Sequence, residues 1–448
     1  MSRTISLSRV AGRVTLDVLD VAKRAREAAL KVANSSVESR NQAILGIAEE
    51  INSQKQCLAD ANSKDVNDAT KSGLAGPIVK RLKLDESKID TMIKGLRAVA
   101  ELEDPLNRTL LSIEMDHGLE LYKITCPIGV LCAIFESRPD ALVQIASLSL
   151  KSANAVILKG GVEAKNTNRI LTDCIRKCLR RSKEIPEDTV QLIETREHID
   201  QLLKMDEYID LLLPRGSSSL VKYVKENSRI PVLGHAEGIC HEYIDADADV
   251  DMAVEICYDA KVQHPAVCNA MNALLIHKDI APRFLPKIAE RYIKANVELR
   301  GDERSRKFVP QMKPVTEKDW STEYLQLILA IKIVDSVKDA IDHINRYSTH
   351  HTDGIVTTNT FTAKRFLNDV SSAVVLHNAS TRFSDGYRFG LGAEVGISTG
   401  KTHARGPVGL EGLVTYKYVV AGSGQIVSTY VGEHPKAFTH RPMKKTWN

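Results

Sequence analysis

Four short, continuous apolar runs constrain the fold of this chain more than any other feature of its sequence. They are Val130–Phe135, Ala155–Leu158, Val190–Ile193 and Ile209–Leu213, and stretches of helical character separate them. Apolar runs of this length predict strands that are buried on both faces. Because the strands alternate with helices, the connections should be right-handed crossovers, and the sheet should be parallel and doubly wound. The sequence therefore predicts an α/β fold.

The residues that follow three of these runs are polar or rich in glycine, which matters because doubly wound sheets bind ligands beyond the C-terminal ends of their strands. They are Glu136–Asp140, Lys159-Gly160-Gly161 and Pro214–Ser218. From the last segment, Gly216–Ser219 precedes Leu220 and Val221, a pattern typical of a helix N-cap that could accept a pyrophosphate. A plain capped turn is the alternative. Lys159 could reach a cofactor ribose or phosphate, although a lysine at a strand end is more often solvated.

Cys268 is the candidate nucleophile. It follows Pro265 and precedes the apolar run Met271–Ile276, which predicts the start of a helix. Unpaired N–H groups and the positive end of the helix dipole favour a thiolate at such a position. A thiolate can attack a carbonyl carbon and hold the acyl group as a thioester. The alternative is a buried structural cysteine, which is the fate of most free cysteines.

The remaining patterns predict two helices, a hairpin, a long loop and a further strand. Apolar residues repeat at helical spacing over Val18–Val32 and again over Ile44–Ile51. Leu110–Ile124 alternates apolar and polar residues around a central glycine, which predicts a hairpin that extends from the body as an arm. His377–Gly412 is dense in glycine and arginine, and a loop of this length within a domain is usually functional. Val414–Val420 alternates as a strand.

Composition excludes several classes of protein. At 448 residues, with 43% hydrophobic and 26% charged residues, the chain has the composition of an ordinary globular protein with two or three packed units. A net charge of only +4 does not indicate a nucleic-acid surface. No apolar stretch approaches the roughly 20 residues that span a bilayer, so no membrane partner is expected. The spacing of the eight cysteines is that of neither a disulfide framework nor a zinc site, so we expect no metal and a reduced, cytoplasmic location.

The basic N-terminus, Met1–Leu16, has no acidic residue in its first sixteen positions. It is interpreted as a mobile lead-in to the first helix, and a short mitochondrial presequence is the alternative.

Long motifs carry a resemblance to a known family. They are Pro127–Val130 continuing through Phe135–Gln144, Leu158–Gly161, Gly234–His241, Val267–Ala270 and His377–Gly412. On these residues the chain resembles the gamma-glutamyl phosphate reductase family of proline biosynthesis, a branch of the aldehyde dehydrogenase superfamily. The resemblance covers roughly residues 15 to 420, and the ending Gly422–Arg441 is similar to that of the fungal single-function form.

The resemblance implies an aldehyde-dehydrogenase-like fold with three parts. A Rossmann-like cofactor-binding domain would comprise residues 1–108 and 129–244, although the standard GxGxxG fingerprint is absent. An α/β catalytic domain would comprise residues 245–412. Residues 109–128 and 413–448 would form a β oligomerisation arm and a C-terminal tail, so a homo-oligomer is expected. No amino-acid kinase domain precedes the reductase, so glutamate 5-kinase would be a separate partner.

The resemblance also assigns the catalytic residues. Cys268 falls on the nucleophile of the superfamily. General aldehyde dehydrogenases carry a glutamate base a little over thirty residues earlier, where this chain has His235. Such a base activates water for thioester hydrolysis, which a reductase acting on an acyl phosphate does not need. Arg138, flanked by Ser137, replaces the superfamily's oxyanion asparagine, and a cation there suits a departing phosphate.

Binding residues follow from the same resemblance. Glu323 matches the glutamate that holds the nicotinamide ribose, and Lys159 and Ser217 match positions that contact the adenosine ribose and pyrophosphate. Gly160, Gly161, Arg215 and Gly216 complete the expected cofactor site. The family usually has a second lysine where this chain has Val162, which weakens the preference for NADP over NAD, although NADPH remains favoured. The candidate substrate-binding residues are Asn269, Arg382, Arg388 and Arg405.

The implied reaction is the NADPH-dependent reduction of L-glutamyl 5-phosphate to glutamate 5-semialdehyde, with release of phosphate, through a thioacyl group on Cys268. Two alternatives remain. A hydrolytic aldehyde dehydrogenase would oxidise a semialdehyde without phosphate, but it would lack its glutamate base here. A non-catalytic scaffold would keep the fold only as a partner for the kinase, but retention of Cys268, Lys159 and Glu323 argues against it.

Overall fold

The computed structural model describes residues 18–194 and 198–447, and it divides them into two compact units. The first unit contains the described residues up to Leu212, together with Asn227–Val232 and the residues from Val414 onwards. The second contains Leu213–Glu226 and Leu233–Leu413. The interpretation of Met1–Leu16 lies outside the described residues.

The α-helices alternate with strands over most of the described chain, as predicted for an α/β fold. In chain order they are α1 (Val18–Val32), α2 (Val37–Ser53), α3 (Lys55–Lys71), α4 (Gly76–Leu82), α5 (Glu86–Glu101), α6 (Pro139–Lys151), α7 (Lys165–Leu179), α8 (Ile199–Leu202), α9 (Ser218–Asn227), α10 (Val250–Val262), α11 (Ala281–Lys294), α12 (Glu303–Arg306), α13 (Val337–Tyr347) and α14 (Thr360–Asp369). Within the described residues, none of these helices is both long and apolar enough to cross a membrane.

The strands form a seven-stranded parallel sheet, two four-stranded sheets and a two-stranded antiparallel pair. In chain order they are β1 (Thr109–Asp116), β2 (Leu119–Pro127), β3 (Val130–Phe135), β4 (Ala155–Lys159), β5 (Val190–Ile193), β6 (Leu211–Arg215), β7 (Cys240–Ile244), β8 (Met271–His277), β9 (Glu298–Gly301), β10 (Lys313–Pro314), β11 (Ile328–Val334), β12 (Thr352–Val356), β13 (Val374–His377), β14 (Gly396–Ser398), β15 (Gly406–Val408), β16 (Val414–Ala421) and β17 (Arg441–Pro442).

The four strands predicted from the apolar runs form one sheet in the order β5-β4-β3-β6, and β4 runs parallel to both β3 and β5. Every residue of β3 and β4 is buried, which explains why their sequences are apolar without alternation. β6 begins two residues later than predicted, and Asp210 just before it accepts a hydrogen bond from Val130 N at 2.7 Å. Helix α1 has the predicted bounds, and its alanines and valines form its buried face.

The predicted hairpin is present as β1 and β2, which belong to an antiparallel sheet in the order β16-β2-β1-β17. Gly118 makes the turn with φ +69°, a conformation that favours glycine. β16 pairs with β2 from Val414↔Pro127 to Ala421↔Glu120. The C-terminal tail folds back onto this sheet, where Asp116 accepts hydrogen bonds from Tyr430 Oη at 2.7 Å and from Lys436 Nζ.

The second unit is built on a seven-stranded sheet in the order β10-β9-β11-β8-β7-β12-β13, in which every neighbouring pair is parallel. The prediction that Met271–Ile276 opens a helix is wrong, because these residues form the central strand β8. They are buried on both faces, and a continuous apolar run does not by itself distinguish a buried strand from a buried helix.

The compact units do not coincide with the predicted domains. β7 pairs with β8 and β12 in the seven-stranded sheet, so the second unit begins before Asp245. The physical reason is that β7 lies in the middle of that sheet, where both of its edges are hydrogen bonded. The assignment of cofactor-binding and catalytic roles to the two parts of the chain stays a prediction.

Candidate active site

Three segments that directly precede neighbouring strands meet at one edge of the seven-stranded sheet. His235 comes before β7, Cys268 before β8 and His351 before β12. Since β7 lies between β8 and β12 and runs parallel to both, the three segments lie together at the N-terminal ends of these strands. One ring nitrogen of each histidine and the Cys268 Sγ atom all lie within 4.8 Å of one another. The fold thus brings a thiol and two imidazoles together.

His351 is the member of this group that the sequence analysis missed. It lies 83 residues after Cys268, and no recognised motif of the chain contains it. The available signal was its position: like His235 and Cys268, it stands just before a short strand. Neighbouring parallel strands bring such positions together, but the sequence of a single segment does not predict the order of strands in a sheet.

The Cys268 thiol does not lie at a helix N-terminus, because the residues that follow it form β8. Burial raises the pKa of this thiol to about 12; Glu323 and Glu394 contribute in the same direction, whereas Arg215 opposes them. The prediction of an ionised sulfur is therefore wrong for the unliganded protein. A thiol with this pKa needs a base, or a change of environment on ligand binding, before it can act as a nucleophile.

Gly238 fixes the backbone of Cys268 by close contact. A Cβ atom on Gly238 would lie 2.1 Å from the carbonyl oxygen of Cys268, so only glycine fits. The Cys240 thiol donates to the same carbonyl at 3.2 Å. Gly238 is held in turn, because its N–H donates to Glu323 Oε1 at 3.0 Å and its carbonyl accepts from Asn272 Nδ2 at 2.8 Å. The candidate nucleophile therefore lies on a loop whose backbone is fixed by these contacts.

His235 is held as a neutral base. Its Nδ1 lies 2.9 Å from the carbonyl oxygen of Ile397, which can only accept, so Nδ1 carries the proton and Nε2 presents a lone pair. Burial lowers the pKa of His235, with Arg215 and Lys225 adding to the effect, although the Ile397 hydrogen bond opposes it. Placement beside Cys268 is consistent with the predicted catalytic role of His235.

His351 is fully buried, and burial holds its pKa well below the ordinary value. Its Nδ1 atom lies 2.8 Å from Thr352 Oγ1 and 3.8 Å from Cys240 Sγ. Among the residues that the structure describes, its Nε2 atom has no hydrogen-bond partner. The rings of His351 and His235 meet edge to face, with centroids 4.8 Å apart. An unpaired nitrogen inside the protein is costly unless a ligand satisfies it.

The candidate substrate residues have different surroundings. Asn269 is buried; its Nδ2 donates to Ser384 O at 2.8 Å, and its Oδ1 has no partner within the described part of the chain. Arg382 is also buried, and its Nε donates to Gln263 Oε1 at 3.0 Å, the one side-chain hydrogen bond found for it among the described residues.

The other two candidate arginines have partners of their own. Arg388 forms an ion pair with Asp385 at 3.6 Å, and Arg405 donates from Nη2 to the carbonyl of Ser371. Of the three arginines, Arg382 has the terminal nitrogens best available for a ligand.

Ser137 and Arg138 belong to the first unit. Ser137 adopts a left-handed conformation with φ 51°, and both its N–H and its hydroxyl donate to Glu163 Oε1, at 2.6 and 2.8 Å. Arg138 is half exposed and pairs with Asp140 at 3.5 Å, a weak contact that leaves the guanidinium adjustable. Their predicted role towards the acyl group stays a prediction.

Two segments carry the predicted cofactor residues. In the first unit, Lys159 is buried and donates to the carbonyl of Gly160 at 2.9 Å. A Cβ atom on Gly160 would lie 2.2 Å from Asn168 Nδ2, and one on Gly161 would lie 2.0 Å from Glu163 Oε1. A small cavity is lined by both glycines, Asn168 and Lys165.

The second of these segments ends in a helix N-terminus. Ser217, which follows Arg215 and Gly216, accepts a hydrogen bond from Leu220 N at 3.4 Å and caps α9 as predicted. Arg215 packs against Gly396, where a Cβ atom would lie 2.6 Å from its Nη1.

Comparison with known proteins agrees with these features. The model of the aldehyde dehydrogenase family matches residues 6–319. A gamma-glutamyl phosphate reductase of Natronomonas pharaonis is 54% identical over 95% of this chain and 97% of its own length, and one of Pelotomaculum thermopropionicum is 52% identical over 96% and 99%. The crystal structure of the gamma-glutamyl phosphate reductase from Thermotoga maritima, at 42% identity, has a TM-score of 0.89 and covers 91% of this chain and 99% of that one. The chain therefore belongs to the aldehyde dehydrogenase family, in which it groups with the gamma-glutamyl phosphate reductases as an oxidoreductase.

Proposed function

We propose that the protein reduces L-glutamyl 5-phosphate to L-glutamate 5-semialdehyde with NADPH and releases phosphate, the second step of proline biosynthesis from glutamate. The observation that carries this proposal is the placement of the neutral His235 beside the Cys268 thiol, where hydrolytic relatives carry a glutamate. The names of relatives at about half identity over nearly the whole chain support the substrate.

The residues of the first unit fit the adenosine end of a dinucleotide. The glycine pair lines a small cavity and has no room for a side chain, because a Cβ atom on Gly160 or Gly161 would overlap Asn168 or Glu163. The buried Asn168 Oδ1 lacks a partner among the described residues. Lys159 would approach the ribose. Lys165 lines the cavity and supplies a positive charge there, whereas Val162, at the position of the family's usual second lysine, is uncharged. Members of the aldehyde dehydrogenase family use nicotinamide cofactors.

In the second unit, the N-terminus of α9 with Gly216, Ser217 and Arg215 suits a pyrophosphate, since helix N-termini offer unpaired N–H groups to anions. Glu323 remains the candidate for the nicotinamide ribose. When bound, NADPH supplies the hydride that reduces the acyl carbon held on Cys268.

Proton transfer from Cys268 to His235 would start the reaction. His235 Nε2 has the lone pair to accept the thiol proton, because Nδ1 is committed to Ile397. The sulfur then bonds to the acyl carbon, and the carbon–oxygen bond to phosphate breaks, with the electron pair leaving on the phosphate. After reduction, the carbon–sulfur bond breaks, His235 returns the proton to the sulfur, and the semialdehyde leaves.

Substrate anions would be bound by arginines. Arg382 has terminal nitrogens that can form paired hydrogen bonds to a carboxylate or a phosphate. Asn269 Oδ1, a buried acceptor, suits the substrate α-ammonium group. Arg138 would stabilise the departing phosphate, and Arg388 and Arg405 remain weaker candidates because other groups already engage them.

One assay separates this proposal from its rivals. In the reverse direction, purified protein supplied with glutamate semialdehyde should reduce more than one equivalent of NADP⁺ only when inorganic phosphate is present. Sustained reduction without phosphate would support a hydrolytic aldehyde dehydrogenase, and no reduction under either condition would support a scaffold. A 2′-phosphate preference is measured in the same assay by replacing NADP⁺ with NAD⁺.

The thioester step has its own test. Cys268→Ala should abolish turnover and prevent the protein from gaining the mass of a glutamyl group when semialdehyde and NADP⁺ are added without phosphate. Cys57→Ala is the matched control, because Cys57 is an exposed cysteine outside the site. Residual turnover in Cys268→Ala within tenfold of wild type would refute the covalent mechanism.

We further propose a homo-oligomer that associates through the antiparallel sheet of the first unit. Tyr416, Tyr418 and Val420 of β16, together with Leu110 of β1, are large apolar side chains exposed on that sheet. All eight cysteines, which fall within the described residues, are free thiols, in keeping with a reducing, cytoplasmic compartment. A separate glutamate 5-kinase would supply the unstable acyl phosphate.

A further inference from the structure

We propose that His235, Cys268 and His351 form a binding site for a single Zn²⁺ ion, and that zinc bound there reversibly blocks the nucleophilic sulfur. The second part of this inference, the blocking of the sulfur by zinc, rests on the proposed function, because it matters only if Cys268 is the nucleophile. Binding of the metal itself requires no turnover.

The three side chains are already close to the separations that zinc requires. One nitrogen of each imidazole and the Cys268 Sγ atom lie within 4.8 Å of one another. Bond lengths of about 2.0–2.1 Å to nitrogen and about 2.3 Å to sulfur imply donor separations of roughly 3.4–3.6 Å at tetrahedral angles. Side-chain rotations that bring the donors roughly 1 Å closer are therefore enough to close the site, with no rearrangement of the three strands.

Both histidines present the form of imidazole that binds metals. His235 binds Ile397 through Nδ1, so Nε2 is the nitrogen left for a ligand. His351 is engaged at Nδ1 by Thr352, and its buried Nε2 has no partner among the described residues. A hydrogen bond at one ring nitrogen that orients the other towards the ion is the usual arrangement of zinc-bound histidine. The orphaned nitrogen of His351 is the observation that points to a ligand.

The donor set selects the kind of metal. Two imidazole nitrogens and one thiolate suit zinc and other borderline or soft cations, and do not suit magnesium or calcium, which prefer oxygen. Three protein ligands leave a fourth position for water. Cysteine spacing gave no indication of this site, because its ligands come from three segments that only the sheet brings together.

Cobalt is the first probe, because Co²⁺ substitutes for zinc and reports a thiolate ligand through a charge-transfer band. Titration of the metal-free, reduced, full-length protein with Co²⁺ should give this band at one equivalent, and Zn²⁺ should displace it. Cys268→Ser should lose the band. His235→Gln and His351→Gln should each weaken Co²⁺ binding at least about tenfold, since even outer-shell partners of a metal cost 10- to 100-fold.

Matched controls are the exposed residues Cys57 and His434, whose variants Cys57→Ser and His434→Gln should bind as wild type does. Thermal unfolding of each variant shows that it is folded, and His235→Gln carries the test if the buried His351→Gln does not fold. Zn²⁺ should inhibit turnover with an inhibition constant equal to the dissociation constant from displacement, and a chelator should restore activity.

Two results would overturn the inference. A cobalt–thiolate band that persists in Cys268→Ser would place the metal on another cysteine, such as Cys240 beside His351. Absence of any band in the wild-type protein would show that the three residues do not bind such a cation. Because neither measurement uses substrate, failure here is distinct from failure of the phosphate-dependent assay.

Discussion

Replacement of Gly238 by alanine should disable the nucleophile without unfolding the protein. The added Cβ atom would lie 2.1 Å from the Cys268 carbonyl oxygen and 2.7 Å from its Cβ, whereas such contacts need at least 3.0 Å. One of the two segments must therefore shift by about 0.9 Å, which displaces Cys268 relative to the segment that carries His235 and Gly238. A misplacement of about 1 Å in a reacting group costs about 100-fold in rate, and overpacking of this kind destabilises by about 1–3 kcal/mol.

The expected result is a kcat about 100-fold below wild type in the phosphate-dependent reverse assay, with a folded protein in thermal unfolding. Gly95→Ala is the matched control, because Gly95 lies in α5 and nothing approaches its Cβ position within 4 Å. Alanine there should leave kcat unchanged and stabilise the helix slightly. A Gly238→Ala enzyme with kcat within threefold of wild type would refute the close contact and the bracing of Cys268 derived from it.

Three further outcomes are expected. Burial raises the pKa of Glu323 to about 7 from 4.5, so the native state retains a proton that the unfolded chain loses. The free energy of unfolding should therefore fall as pH rises from 4.5 through 7, by at most about 3 kcal/mol, and Glu323→Gln should flatten this dependence in urea titrations. Lys165→Ala should lower kcat/KM for NADP⁺ more than for NAD⁺, whereas the exposed Lys64→Ala should change neither; equal losses for both cofactors would exclude a 2′-phosphate contact. Tyr418→Glu should shift the molar mass measured by light scattering towards the monomer, whereas Leu30→Glu, on an exposed face of α1, should leave it unchanged.

Local patterns predicted several elements of the first unit. α1 was predicted with its observed bounds because Leu19, Ala22, Ala25 and Ala29 repeat at the period of a helix; the alanines are buried, whereas Leu19 is exposed. The hairpin of β1 and β2 was predicted because its residues alternate around Gly118, a turn that needs positive φ. The strand Met271–His277 was not predicted. A strand that is buried on both faces does not alternate apolar and polar residues, so its sequence can be mistaken for that of a helix.

The candidate site was predicted in part. Cys268 and His235 were found through motifs, and the cap at Ser217 through its local sequence. His351 was missed because no short motif marks it. The requirement for glycine at position 238 was missed because it arises from a contact with Cys268, thirty positions away in sequence. The charge state of the thiol was also wrong, since it depends on what surrounds the sulfur.

The sequence alone determined the alternation of strands and helices and the family, and it marked Cys268 as the candidate nucleophile, because each is encoded in short runs of neighbouring residues. Only the tertiary structure decided that β7 lies between β8 and β12. That order places His235, Cys268 and His351 at one edge of the sheet, and burial there keeps the sulfur protonated and both imidazoles neutral. Strand order and desolvation are properties of the folded chain as a whole, since both depend on contacts between residues far apart in sequence.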